Sequence, residues 1–93
     1  MKVSAVVQIG NGDDKLSQSR WSDFTADVRA AVDQAGQVHF AGGSHPFDPW
    51  QNACFVVEMD PADAEALRGE LARLRDTYEQ ESIALIVAET EFI

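Results

Sequence analysis

The chain is predicted to be an α+β protein: a four-stranded antiparallel sheet in strand order 4-1-3-2, with two helices on one face. Three observations carry this reading. Apolar residues recur at every second position in four segments and at helical spacing in two others, and the segments follow one another as βαββαβ. Each helix then links two strands that run parallel within the sheet, and right-handed crossovers leave one economical arrangement. Finally, 93 residues with 45% hydrophobic content build one modest core, so residues 1–93 form a single domain.

The first strand rests on Val3, Ala5, Val7 and Ile9, which alternate with Lys2, Ser4, Val6 and Gln8. Gly10-Asn11-Gly12-Asp13-Asp14 breaks it with turn-forming residues. Ser17 is placed to cap the first helix, and Leu16 before it to staple onto Trp21. Trp21, Phe24, Val28, Ala31, Val32 and Ala35 make its apolar stripe, and Gly36 stops it.

In the second strand Val38 and Phe40 are expected on one face and Gln37, His39 and Ala41 on the other. A loop over 42–49 leads to a third strand over 50–59. There Ala53, Phe55, Val57 and Met59 share one face, and Asn52, Cys54, Val56 and Glu58 the other. Asp60-Pro61 opens the second helix, with Asp as cap and Pro in the first turn. Its stripe is Ala64, Leu67, Leu71, Leu74 and Tyr78. Gly69 costs this helix about 1 kcal/mol relative to Ala, and close packing on the sheet is the reason expected for it. The last strand covers 82–90, with Ile83, Leu85 and Val87 opposed to Ala84, Ile86 and Ala88. Together these elements describe a ferredoxin-like sandwich, an architecture that hosts many functions and implies none.

With both helices on one side, the other side of the sheet is left with Ser4, Val6, Gln8, His39, Ala41, Asn52, Cys54, Val56, Ala84, Ile86 and Ala88. Small and branched apolar side chains outnumber charges there, which is unusual for a surface left in water. Val6, Gln8, His39, Cys54, Val56 and Ile86 are therefore the candidate contact face of a homodimer, packed face to face or joined edge to edge.

Strand directions bring the 10–16 loop, the 42–49 loop and the 77–81 turn to one end of the sheet. Asp13, Asp14, Lys15, Arg20, His45, Asp48, Trp50 and Gln51 gather there as candidate binding residues, with Phe47 a further candidate at the rim. Asp13, Asp14, Lys15 and Gln51 are expected to be exposed. A hairpin centred near Pro46 would make His39 and Cys54 cross-strand neighbours, a pairing that can activate a thiol. No catalytic constellation accompanies it. His39, His45, Cys54 and Asp48 lack zinc spacing, and the 10–14 loop matches neither a calcium loop nor a dinucleotide fingerprint. No metal and no cofactor is expected.

Sixteen acids against seven bases give a net charge of −9. Nucleic-acid backbones are repelled by such a field, so direct nucleic-acid binding is not expected. The single cysteine excludes an intramolecular disulfide, and the longest apolar run is too short to span a membrane, so a cytoplasmic protein is expected.

The runs Gln8-Ile9-Gly10-Asn11-Gly12-Asp13-Asp14-Lys15-Leu16-Ser17, Pro49-Trp50-Gln51-Asn52-Ala53-Cys54, Ile83-Ala84 and Ala88-Glu89-Thr90-Glu91-Phe92 resemble a group of small uncharacterised bacterial and phage-type proteins. The resemblance covers most of the chain and implies no activity, cofactor or catalytic residue. At the level of fold the chain is similar to dimeric ferredoxin-like domains, some of them cofactor-free isomerases or oxygenases and others sensors. The leading expectation is an acidic homodimeric binding or regulatory module that recognises a protein partner. One alternative is a small cofactor-free enzyme or ligand sensor, its pocket near the 42–50 loop lined by Trp50 and Val56 and served by His39, His45, Cys54 or Asp48. Another is an acidic inhibitor that mimics DNA.

Overall fold

The computed structural model describes residues 1–45 and 48–93; the expectations placed on Pro46 and Phe47 lie outside the described residues. Strand β1 (Val3–Gly10) leads to helix α1 (Gln18–Ala35). Strands β2 (Gln37–Gly43) and β3 (Asn52–Met59) form a hairpin, followed by helix α2 (Pro61–Thr77) and strand β4 (Ala84–Glu89). The four strands form one antiparallel sheet in the order β2-β3-β1-β4. No helix among the described residues is long and apolar enough to cross a membrane.

The two central strands fold as their alternation dictates. Val3, Ala5, Val7 and Ile9 of β1 and Ala53, Phe55, Val57 and Met59 of β3 are all buried. They share one cluster with Phe24, Val28, Ala31 and Val32 of α1 and Ala64, Leu67, Leu71 and Leu74 of α2. Removing this surface from water is the main force holding the layers together. The edge strand β4 buries less: Leu85 and Val87 pack partly against the cluster, while Ile86 is 58% exposed.

The helix boundaries have local causes. The Ser17 hydroxyl accepts from the Arg20 backbone N–H, satisfying one donor that the first turn of α1 leaves free. Gly36 ends α1 in an extended conformation (φ 176°), not the left-handed one of the usual glycine stop. Its lack of a side chain matters for another reason: a Cβ there would lie 2.1 Å from the Glu58 carbonyl oxygen. Asp60 caps α2 without a side-chain bond to the helix, because its carboxylate pairs instead with Lys2 Nζ at 2.9 Å. That hydrogen bond, and the ammonium charge behind it, hold the Asp60 carboxyl below its ordinary value. Gly69 does not serve close packing, since a Cβ built on it meets nothing within 4 Å.

Strand β2 departs from simple alternation. Val38 pairs with Val57, yet Phe40 pairs with Val56, with a bulge between them. The extra residue turns Phe40 to the side of the sheet away from the helices and brings Ala41, opposite Phe55, to the helix side. The expected facing of Phe40 and Ala41 is thus reversed. His39 and Cys54 are not neighbours for a different reason: the β2–β3 hairpin is centred near position 48, about two residues later than expected. Cys54 is paired with Gly42, and His39 Nε2 bonds Glu58 Oε1 at 3.0 Å.

Candidate functional site

Two surfaces hold the predicted residues, and a cleft between α1 and β2 adds a third feature. The first surface is the uncovered face of the sheet. In register, Phe40, Val56, Val6 and Ile86 form one unbroken row across all four strands. The neighbouring row is Gly42, Cys54, Gln8 and Ala84; on the other side Glu58, Ser4 and Ala88 follow. Five of the six residues expected on this face lie in these rows, and His39 joins them through Glu58. Ala41 belongs on the other side, and Phe40 was missed. At the margin Ser4 and Thr90 share a hydroxyl hydrogen bond of 2.6 Å. Glu58 is the one acid on this face among the described strand residues, and it is the one His39 bonds. Phe40 is 53% exposed, its ring lying over the α-carbon of Gly42.

The second surface is the loop end of the sheet, and its frame is a buried amide network. Asn11 is fully buried, and its side chain closes the 11–16 loop on itself. Nδ2 donates to the Leu16 carbonyl at 3.0 Å, and the Leu16 N–H donates to Oδ1 at 3.0 Å. Asn11 Nδ2 also donates to Gln51 Oε1 at 3.1 Å, while its backbone N–H bonds the Gln51 carbonyl at 2.8 Å. Gln51 and Gln18 exchange amide hydrogen bonds in both directions, at 2.7 and 3.0 Å. Gln51, expected to be exposed, is 4% exposed because Asn11 and Gln18 satisfy it. It is a positioning residue for the loops around it.

On this frame Asp13, Asp14 and Lys15 stand exposed. The Asp13 carboxylate accepts from the Lys15 N–H at 3.2 Å, and Asp14 takes the left-handed conformation (φ 54°) that makes the turn. Trp50 is 73% exposed, and its ring lies 3.5 Å from where a Cβ on Gly12 would stand. Lys15 Nζ donates to the Glu79 carbonyl just past α2, tying the 77–81 turn to the first loop. The Arg20 guanidinium sits 4.4 Å above the Tyr78 ring. His45 and Asp48 bond each other twice, His45 N–H to Asp48 Oδ2 at 3.0 Å and Asp48 N–H to the His45 carbonyl at 3.1 Å.

The candidates therefore fall into an exposed set on the 13–15 loop beside Trp50, a His45–Asp48 pair, and Arg20 on Tyr78. The Tyr78 hydroxyl donates to Asp27 Oδ2 at 2.6 Å; this bond, with burial, pushes the phenol up from 10.0 to about 12. Among the described residues, no group of three or more His, Cys, Asp or Glu side chains is arranged to hold a metal ion.

The cleft beside β2 is an open groove of about 430 Å³, lined by residues including Trp21, Thr25, Arg29, Ala41 and Phe55. It lies near the loop where a pocket was expected, but Trp50, Val56, His39, His45, Cys54 and Asp48 do not line it. No signal in α1 marked Thr25 or Arg29, because the cleft is created by the bulge in another element.

No model of a known protein family matches the chain. Among curated proteins, too, none shows significant similarity to it.

Proposed function

We propose that the chain is a small acidic binding module that works as a homodimer. Two ferredoxin-like sheets pack through their uncovered faces, and the loop end bearing Asp13, Asp14, Lys15 and Trp50 recognises a protein partner. One observation carries this reading: the row Phe40, Val56, Val6, Ile86 runs the whole width of the sheet with no charge in it. A continuous apolar stripe on an otherwise uncovered face is what a partner surface provides cover for. The chain carries −9, so two copies repel in general, and this face is where its acids are scarce.

The dimensions support a pair. Strands about 4.8 Å apart, rising about 3.4 Å per residue, give four strands a projected face of about 450 Å², or about 900 Å² for two copies. Side-chain relief raises the accessible area above that, to the ~1,000 Å² of a specific interface. Two such faces pack aligned, about 10 Å apart.

Sedimentation velocity or light scattering at micromolar concentration tests the reading. A dimer is expected, with Ile86→Lys and Val6→Lys both returning monomers whose circular dichroism matches the parent. A monomeric parent removes the proposal, and so do dimers that survive both substitutions.

A further inference from the structure

We propose that the cleft between α1 and β2 binds a small aromatic carboxylate. The inference is independent of dimerisation, since the cleft opens on the helix side of the sheet. Its origin is the bulge. With Phe40 turned to the far side, β2 faces α1 with Ala41, opposite Phe55, and Gly43, opposite Ala53. Where alternation would have placed a phenyl ring, the wall carries a methyl group and a hydrogen. Nothing larger fits at Gly43, because a Cβ there would lie 2.2 Å from the Asn52 carbonyl oxygen. The opening is thus built into the backbone pairing.

The groove is open to solvent on one side, and its volume of about 430 Å³ lies in the range of small-molecule sites. Trp21, Phe55 and Ala41 supply apolar walls against which a ring can lie. The Thr25 hydroxyl is buried and has no hydrogen-bond partner among the described residues. Its oxygen has almost no surface open to the cleft, so it meets a ligand only when the side chain turns toward it, and a partner there would remove the cost of a buried hydroxyl left alone. Among the described residues Arg29 is the one charged residue of the lining and no acid lines it, on a chain with sixteen acids. Only its Nε is engaged among the described residues, at 3.1 Å from Asp33, so the terminal nitrogens remain for a carboxylate. A ring on Trp21 and Phe55, with an anionic group toward Arg29 and Thr25, uses each of these features.

Phenylacetate and its uncharged amide are the probes, followed by NMR on the full chain. Phenylacetate is expected to shift, saturably, the Trp21 indole signal and amides within 21–29 and 41–44. Arg29→Gln is expected to weaken phenylacetate about tenfold or more while leaving the weaker amide unchanged. Ala41→Leu, which fills an exposed position of the wall, is expected to abolish both. Absence of saturable shifts overturns the proposal. So does equal binding of acid and amide, or phenylacetate binding that Ala41→Leu leaves intact.

Discussion

Phe40 stands directly across from Val56 on the uncovered face of the sheet, although Val38, two residues earlier, pairs with Val57 on the helix side. One extra residue, His39, makes the difference. It completes the apolar row on one side of the sheet and leaves the cleft on the other.

Deleting His39 therefore tests the bulge directly. Removing one residue from a strand ordinarily turns every following side chain to the opposite face. Here Val38 would still face Val57 and Phe40 would still face Val56, now in a regular ladder. The deletion variant is expected to unfold cooperatively, with a loss of about 1–2 kcal/mol in denaturant titrations. Deleting Val57 from β3, which pairs with β1 without a break, is expected to prevent cooperative folding. If both deletions behave alike, the bulge is not where the pairing slips.

The contrast between β2 and its neighbours shows what was legible in the sequence. In β1 and β3 the alternating residues occupy the faces their spacing implies, since both strands are paired on both sides and their inward positions are all apolar. The stripes of α1 and α2 were legible for the same reason. The segment Gln37-Val38-His39-Phe40-Ala41 reads as a regular strand too, and no residue in it marks an insertion. Its true pairing is decided by β3. Gln51 was illegible in another way: a glutamine is ordinarily exposed, and the partners that permit its burial come from a distant loop and helix. The convergence of the three loops at one end followed from strand direction alone.

The amide network makes a sharp stability prediction. Asn11→Ala removes two bonds to the Leu16 backbone and one to Gln51, leaving buried groups unsatisfied. A loss of about 2–4 kcal/mol is expected from urea unfolding. Asp14→Asn, in the same loop but exposed and tolerant of the left-handed conformation, is expected to change stability by less than about 0.5 kcal/mol. Comparable losses from the two would show that the network does not hold the loop.

Glycines of this chain divide by what surrounds them. Gly69 lies inside α2 with open space at its Cβ position, so Gly69→Ala is expected to stabilise by about 0.5–1 kcal/mol through helix propensity. Gly36→Ala is expected to destabilise, because the new methyl would meet the Glu58 carbonyl where α1 hands over to β2. Thermal melts of the two variants should move in opposite directions from the parent.

The Tyr78–Asp27 bond links stability to alkaline pH. Tyr78 can donate to Asp27 only while its phenol keeps the proton, and in the fold the phenol does so up to about 12. In the unfolded chain the same group ionises near pH ~10. Between those values the native state holds a proton that the unfolded state has released. The contribution of the bond is therefore complete below the unfolded value and is lost as pH rises through the folded one. Urea midpoints taken from about pH 9 to about pH 12 should fall more steeply for the parent than for Tyr78→Phe, which has no proton to hold. The variant should start lower, having lost the bond, and the two curves should converge at the alkaline end. Parallel curves would mean that the Asp27 contact does not stabilise the protonated phenol.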